Sequence, residues 1–324
     1  MRRLTLLMVL GTFFGYSDAS AQRTQAKKKV EAMTKNANPF NGARLFVDTN
    51  SLAARAARQA GGEEQKLLQK IASQPQAFWI VGGEDPSAQV REIVDAAEKE
   101  GRLVVLVAYN IPLRDFGEYS AGGANTKQGY KTWIRKFADA IGKRRAVVTL
   151  EPDALTQLER LPEQKQRDRM EMLNYAITTL KTNPSTAVYA DAGHSGWKSV
   201  QEIAPRLRAA GVAKADGFSL NVSNFRATNE LLAYGKRLSA AVGNKPFVLD
   251  VGRNGNGPAA NGEWCNPPGR ALGTPPTAKT GEPLCHAFLW IKPPGESDGN
   301  RDGAPRAGEW YQKYALELAR NAKW

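Results

Sequence analysis

From residue 38 onward, short apolar runs rich in strand-forming residues alternate with longer stretches whose apolar positions recur at helical spacing. The runs fall at 45–47, 77–81, 103–108, 146–150, 187–190, 217–220, 246–249 and 287–291. Between them, 88–99, 131–141, 169–180, 199–210 and 229–241 read as helices, and 309–321 closes the chain as another. No heptad, short-period repeat or second low-complexity linker breaks this order, so residues 38–324 are expected to form one domain. Strand and helix in regular alternation predict a parallel α/β fold. The most economical form is a single-domain, distorted (β/α) barrel of the TIM type, with a doubly wound sheet as the alternative.

Ahead of that domain the pattern changes. Arg2 and Arg3 precede an apolar stretch at 4–14, and Ala19-Ser20-Ala21 follows, which is the order of a secretory signal with cleavage near Ala21. Residues 22–37 are polar and basic, with Lys27, Lys28 and Lys29 together, and are expected to form a flexible arm. That arm is either a solvated leader or an attachment to an acidic surface polymer. Export makes a bond between Cys265 and Cys285 chemically permissible.

Composition removes several function classes. The 324-residue chain is 42% hydrophobic and 24% charged, which excludes simple disorder, and it lacks an apolar run of the ~18 residues needed to span a bilayer. With two cysteines and two histidines, neither a Cys/His zinc cluster nor a disulfide framework can be assembled. The formal charge of +13 is an excess of 45 basic over 32 acidic residues spread along the chain, a weak pointer to nucleic acid.

In a barrel, the loops after the strands converge on one face and build the site. Here they carry Tyr109, Arg114 and Asp115; Glu151 and Asp153; Asp191, His194 and Trp197; Asn221 and Asn224; Asp250 and Arg253; and Lys292, Glu296 and Asp298. Carboxylates at one mouth serve either a hard metal ion or acid/base chemistry. No Asp-x-Asp-x-Asp-Gly loop is present for the first, so no metal or other cofactor is expected. For the second, Trp79, Trp197 and Trp264 lie in or beside strand-end loops, where an indole stacks on the apolar face of a pyranose. Blander readings compete. Asp153 could cap a helix, Asp115 could pair with Arg114 at the surface, His194 could be structural, and Asn254-Gly-Asn-Gly257 could be only a turn. Spacing alone therefore supports a carbohydrate-active enzyme.

Six motifs in order narrow this: Tyr109-Asn-Ile-Pro-Leu-Arg-Asp115, Glu151-Pro-Asp153, Asp191-Ala-Gly-His-Ser-Gly-Trp197, Arg253-Asn-Gly-Asn-Gly257, Trp264-Cys265 and Trp290-Ile-Lys-Pro-Pro-Gly-Glu-Ser-Asp298-Gly. Together they resemble glycoside hydrolase family 6, the inverting cellulases, from Asn38 to about Gly299. The resemblance implies a β-1,4-glucan or cello-oligosaccharide substrate and Asp153 as general acid. It implies that Asp115 assists through a water relay, and that Asp298 is the candidate direct base with Lys292 and Arg253 as cationic neighbours. Tyr109 resembles the residue that distorts the scissile sugar, and Trp79 and Trp264 resemble stacking platforms. His194, Trp197, Asn224, Lys292 and Glu296 resemble further sugar contacts, with Asp191 and Arg114 supporting.

Three departures stand out. Phe116 occupies a position where the family commonly has cysteine. Asn300 stands where the partner of Cys265 is expected, leaving Cys285 as the candidate partner. Ala121 replaces a serine associated with the catalytic water, with Ser120 beside it. The body is short, which implies an open cleft and endo cleavage by a secreted monomer. The rivals are exo activity of the cellobiohydrolase type, a catalytically weak glucan-binding protein, and a basic nucleic-acid or surface-polymer binder, which the acidic and aromatic loops disfavour. No contact with a membrane is expected after signal cleavage.

Overall fold

The computed structural model describes residues 38–324, and the signal peptide and basic arm expected at 1–37 lie outside the described residues. Two helices come first, α1 (Leu52–Gln59) and α2 (Gly62–Ala72). Then β1 (Phe78–Val81), α3 (Ser87–Lys99), β2 (Val104–Tyr109), α4 (Lys127–Ile141), β3 (Ala146–Leu150) and α5 (Glu163–Leu180) alternate. The alternation continues with β4 (Thr186–Asp191), α6 (Val200–Ala209), β5 (Gly217–Leu220), α7 (Thr228–Ala241), β6 (Phe247–Asp250), β7 (Cys285–Leu289) and α8 (Gln312–Arg320). The strands form one parallel sheet in sequence order, curled into a barrel.

Seven strands replace the eight expected. The run at 45–47 contributes one parallel bridge, Leu45 to Leu103, before Asp48 turns the chain by accepting from the backbone of Asn50 and Ser51. A three-residue run ending in an Asx turn is too short to extend a ladder.

The side chains of each strand divide by the period of two. Leu106, Ala108, Val148, Leu150, Val188 and Ala190 pack with the helices, while Val105, Val107, Tyr109, Val147, Tyr189, Val248 and Leu289 form a second buried cluster to which no helix contributes. That second cluster is the barrel interior. Phe40 fills its lower end, with its ring 6.3 Å from Tyr189, and Asn38 anchors the segment by donating to the His286 carbonyl at 2.8 Å.

Closure is minimal. β1 and β7 share no ladder; the Ala77 N–H donates to the Trp290 carbonyl at 3.0 Å, and the Trp79 indole donates to the Ile291 carbonyl at 2.8 Å. Among the described residues no helix is long and apolar enough to cross a membrane.

Because Phe40 is the plug of the interior and is 3% exposed, Phe40→Ala is expected to lower unfolding free energy by about 3 kcal/mol, read from chemical denaturation.

Candidate active site

The loop after β3 departs from ordinary backbone at once. Glu151 and Asp153 both have left-handed φ, +48° and +69°, at a cost of roughly 1 kcal/mol or more for each such residue. Glu151 turns its carboxylate inward, where it accepts the backbone N–H groups of Asn110 and Ile111 at 3.0 Å. Those donors favour its ionised form, yet burial pushes its pKa up to about 7.

Asp153 caps no helix. Its backbone N–H donates to Asp191 Oδ2 at 3.0 Å, and its own carboxyl is held well above the usual carboxylate range by burial, then by the charges of Asp191 and Asp115. Asp191, at the end of β4, also accepts from the Gly193 N–H at 3.1 Å and the Ser219 hydroxyl at 3.4 Å, while burial raises it to about 6. The donors surrounding Asp191 favour its ionised form, so in this pair the proton belongs on Asp153. Gly193 lets the turn after Asp191 lie against the Asp153 loop: its φ is +67°, and a Cβ there would meet Thr156 Cγ2 at 2.3 Å.

Asp115 sits in a loop braced by Arg114, which does not pair with it. The Arg114 guanidinium donates to the carbonyls of Tyr109 and Ser120, each at 2.8 Å, and lies 4.8 Å from the Tyr109 ring centroid. Asp115 Oδ2 accepts the Ser120 backbone N–H at 2.6 Å. Burial nevertheless raises the Asp115 pKa.

Across the mouth, Arg253 donates to Asp298 Oδ2 at 2.8 Å, with both side chains almost wholly buried. The Asn266 N–H meets the same oxygen at 3.0 Å, and the Asp298 N–H returns to Asn266 Oδ1 at 2.8 Å. Lys292 does not join this pair; its ammonium goes to Glu296 at 3.4 Å and the Ser297 carbonyl at 3.2 Å. Burial raises the Glu296 carboxyl. The Asp115 loop reaches this side through Tyr119, whose Cγ would lie 2.2 Å from a Cβ on Gly299, so only glycine allows the approach.

The aromatic residues line the same rim. Tyr109 is buried with its ring at 5.2 Å, edge-on to half-buried Trp79, and the Lys292 ammonium lies 5.8 Å from the Trp79 ring. Trp264 is 45% exposed and meets Tyr119 at 5.9 Å, while Trp197, 38% exposed, lies 5.7 Å from His194. Burial and then Arg226 lower the His194 pKa to about 4, so its imidazole is neutral, with Nδ1 accepting from the Gly196 N–H at 3.2 Å. Asn224 uses its amide oxygen locally, accepting from the Phe225 N–H at 2.9 Å.

The sequence assigned no role to Glu151 or Asp250. Asp250 accepts the N–H groups of Ser223, Gly252, Ile291 and Lys292 at 2.9–3.2 Å, tying three strand ends together. The available signal was position: each acidic residue lies at the last or first place around a strand end. Among the described residues no three or more His, Cys, Asp or Glu side chains are grouped to hold a metal ion. Cys265 and Cys285, whose pairing the sequence left open, are both free and buried. Cys285 begins β7 at the barrel floor, whereas Cys265 adjoins Asn266 beside Asp298 at the mouth.

The sequence matches the family described as Glycosyl hydrolases family 6 over residues 40–322. Endoglucanase A of Cellulomonas fimi is 44% identical over 283 residues, covering 86% of this chain, and the chain spans 62% of that relative's length. Endoglucanase 1 of Streptomyces halstedii is 42% identical over 266 residues, covering 79% of this chain and 81% of the relative. Among solved structures, the endoglucanase Cel6 from Mycobacterium tuberculosis, in complex with methyl-cellobiosyl-4-deoxy-4-thio-β-D-cellobioside, matches with a TM-score of 0.85 and 42% identity. That match covers 88% of this chain and 99% of the other.

Glu151 binds its proton more tightly in the folded chain than at its ordinary value of 4.5, so its burial makes stability fall as pH rises from about 4.5 to about 7 and level off above. Glu151→Gln removes that component. Denaturant titrations at pH 5 and pH 7.5 are expected to move in the variant's favour at the higher pH, by about 2 kcal/mol.

Proposed function

This chain belongs to the glycosyl hydrolases of family 6, and from that premise we propose that it is a secreted, inverting endo-β-1,4-glucanase with Asp153 as general acid. The observation that carries the assignment is the Asp153 carboxyl buried at the mouth with its backbone N–H on Asp191 Oδ2, where burial and then the Asp191 charge raise its pKa. An acid for glycoside cleavage must still hold its proton at working pH and face a carboxylate on the other side of the bond.

In the reaction, Asp153 gives its proton to the glycosidic oxygen as the bond to the anomeric carbon breaks. A water attacks that carbon from the opposite face, its proton passes to a carboxylate, and the new reducing end has the α configuration. Asp298 Oδ2 is already engaged by Arg253 and Asn266. Burial makes Asp115 a more basic carboxylate than an ordinary one, which supports a relay in which the water's proton travels toward Asp115. Tyr109, fixed between Trp79 and Arg114, is placed to press on the scissile sugar. Trp79 and the exposed Trp264 offer stacking faces, and His194, Trp197, Asn224, Lys292 and Glu296 offer further contacts.

Endo cleavage is favoured by the names of the similar proteins, several of which are endoglucanases. Secretion through a signal at 1–21, a flexible arm at 22–37 and action as a monomer belong to the same proposal.

Proton NMR of cello-oligosaccharide cleavage tests it: α-anomer is expected first, and Asp153→Asn is expected to lower kcat at least about 100-fold. Initial β-anomer, or no cleavage of any β-1,4-glucan by folded protein, would sink the assignment. Asp191→Asn removes a negative charge that, after burial, raises Asp153, so the alkaline limb of the kcat/KM profile is expected to move to lower pH.

A further inference from the structure

The turn that presents Asp115 is strained from both sides of that residue. Leu113, Asp115 and Phe116 all have left-handed φ, +56°, +55° and +45°, and contacts from outside the turn add to the Arg114 and Ser120 hydrogen bonds that hold it. Those contacts come from the chain that follows Asp153. The Arg160 guanidinium lies 4.7 Å from the Phe116 ring centroid, and its Nη2 is 3.5 Å from Glu118 Oε1 at the end of the turn.

Arg169 completes the set from α5. It is buried, its guanidinium lies 5.3 Å from the same phenyl ring, and Nη2 donates to the carbonyls of Pro112 at 2.7 Å and Leu113 at 3.1 Å. Its Nη1 donates to the Ala154 carbonyl at 3.4 Å, one residue beyond Asp153. One planar cation therefore touches both loops, and Phe116 is the surface on which two such cations rest.

We propose that Arg160 and Arg169, acting through Phe116, are positioning residues that fix Asp115 relative to Asp153. This rests on the assignment of those aspartates given above. The distance across the cleft between the proton donor and the group receiving the water's proton is set by this clamp. A small displacement of the turn leaves the stacking face of Trp79 and the contact offered by Trp197 where they are, so turnover suffers more than substrate binding.

The test compares the full chain with Phe116→Leu, Phe116→Trp and Arg160→Gln on cellohexaose, with melting temperatures recorded alongside. Phe116→Leu keeps an apolar side chain but removes the π face, and kcat is expected to fall about 10-fold or more with KM within about twofold. Phe116→Trp, which restores a stronger π face, is expected to recover most of that loss. Arg160→Gln, at a half-exposed position, is expected to lower kcat in the same direction and keeps the proposal testable where the Leu variant does not fold. Wild-type kcat in both Phe116→Leu and Arg160→Gln overturns the clamp, as does a loss confined to KM or failure of the Trp variant to recover turnover. A wild type that cleaves no cellohexaose overturns the functional assignment and the positioning role together, whereas an active wild type with equally active variants overturns the clamp alone.

Discussion

Beyond the last rung of a parallel sheet, the strands have no ladder to hold them together, and here buried carboxylates take over by accepting backbone N–H groups. Glu151 takes those of Asn110 and Ile111, joining the end of β2 to that of β3. Asp191 takes those of Asp153 and Gly193, joining β3 to β4, and Asp250 takes four from the loops after β5, β6 and β7. An anion inside a protein is tolerated where several N–H dipoles converge on it, so each staple satisfies the acid and the strand ends at once. The gap between β1 and β7 has no such staple, and there the barrel is joined by the Ala77 backbone and the Trp79 indole.

The same staples determine the chemistry available at the mouth. Burial first, and then the negative charge of an Asp191 already supplied with donors, raise the pKa of the Asp153 carboxyl. Arg253 and Asp298 answer from the opposite wall as a closed pair. Left-handed residues occur where these loops leave the sheet, at Asp115, Glu151, Asp153, Asn221 and Ser223, and strain of this kind persists only where the surroundings over-determine the backbone.

Much of this was legible in the chain because strands buried on both faces leave continuous apolar runs, and the acidic residues follow them directly. The run at 45–47 misled because an apolar triplet looks alike in a strand and in a single bridge. Helix α1 was missed because it buries Ala53, Ala54, Ala56 and Ala57 rather than large side chains, and α2 because the Gly61-Gly62 pair reads as a turn. The candidate site divides in the same way. Asp115, Asp153, Trp79 and Tyr109 stand out by motif and type. The roles of Glu151 and Asp250 do not, because most of their partners are backbone groups 27 to 42 residues away in sequence. Arg114 braces a loop rather than pairing with its neighbour, and Lys292 turns to Glu296, choices that depend on where the loops fold back.

The thiols carry a further consequence. Cys265 and Cys285 are the only two in the chain, and they stand at opposite ends of the barrel as free groups. At the turn beside Asp115, guanidinium and phenyl groups provide a hold that involves no sulfur. The body of this protein therefore reaches its fold without an oxidant or a disulfide isomerase. Glutathione or another reductant has no cross-link to undo, so the fold does not depend on the redox poise of its surroundings.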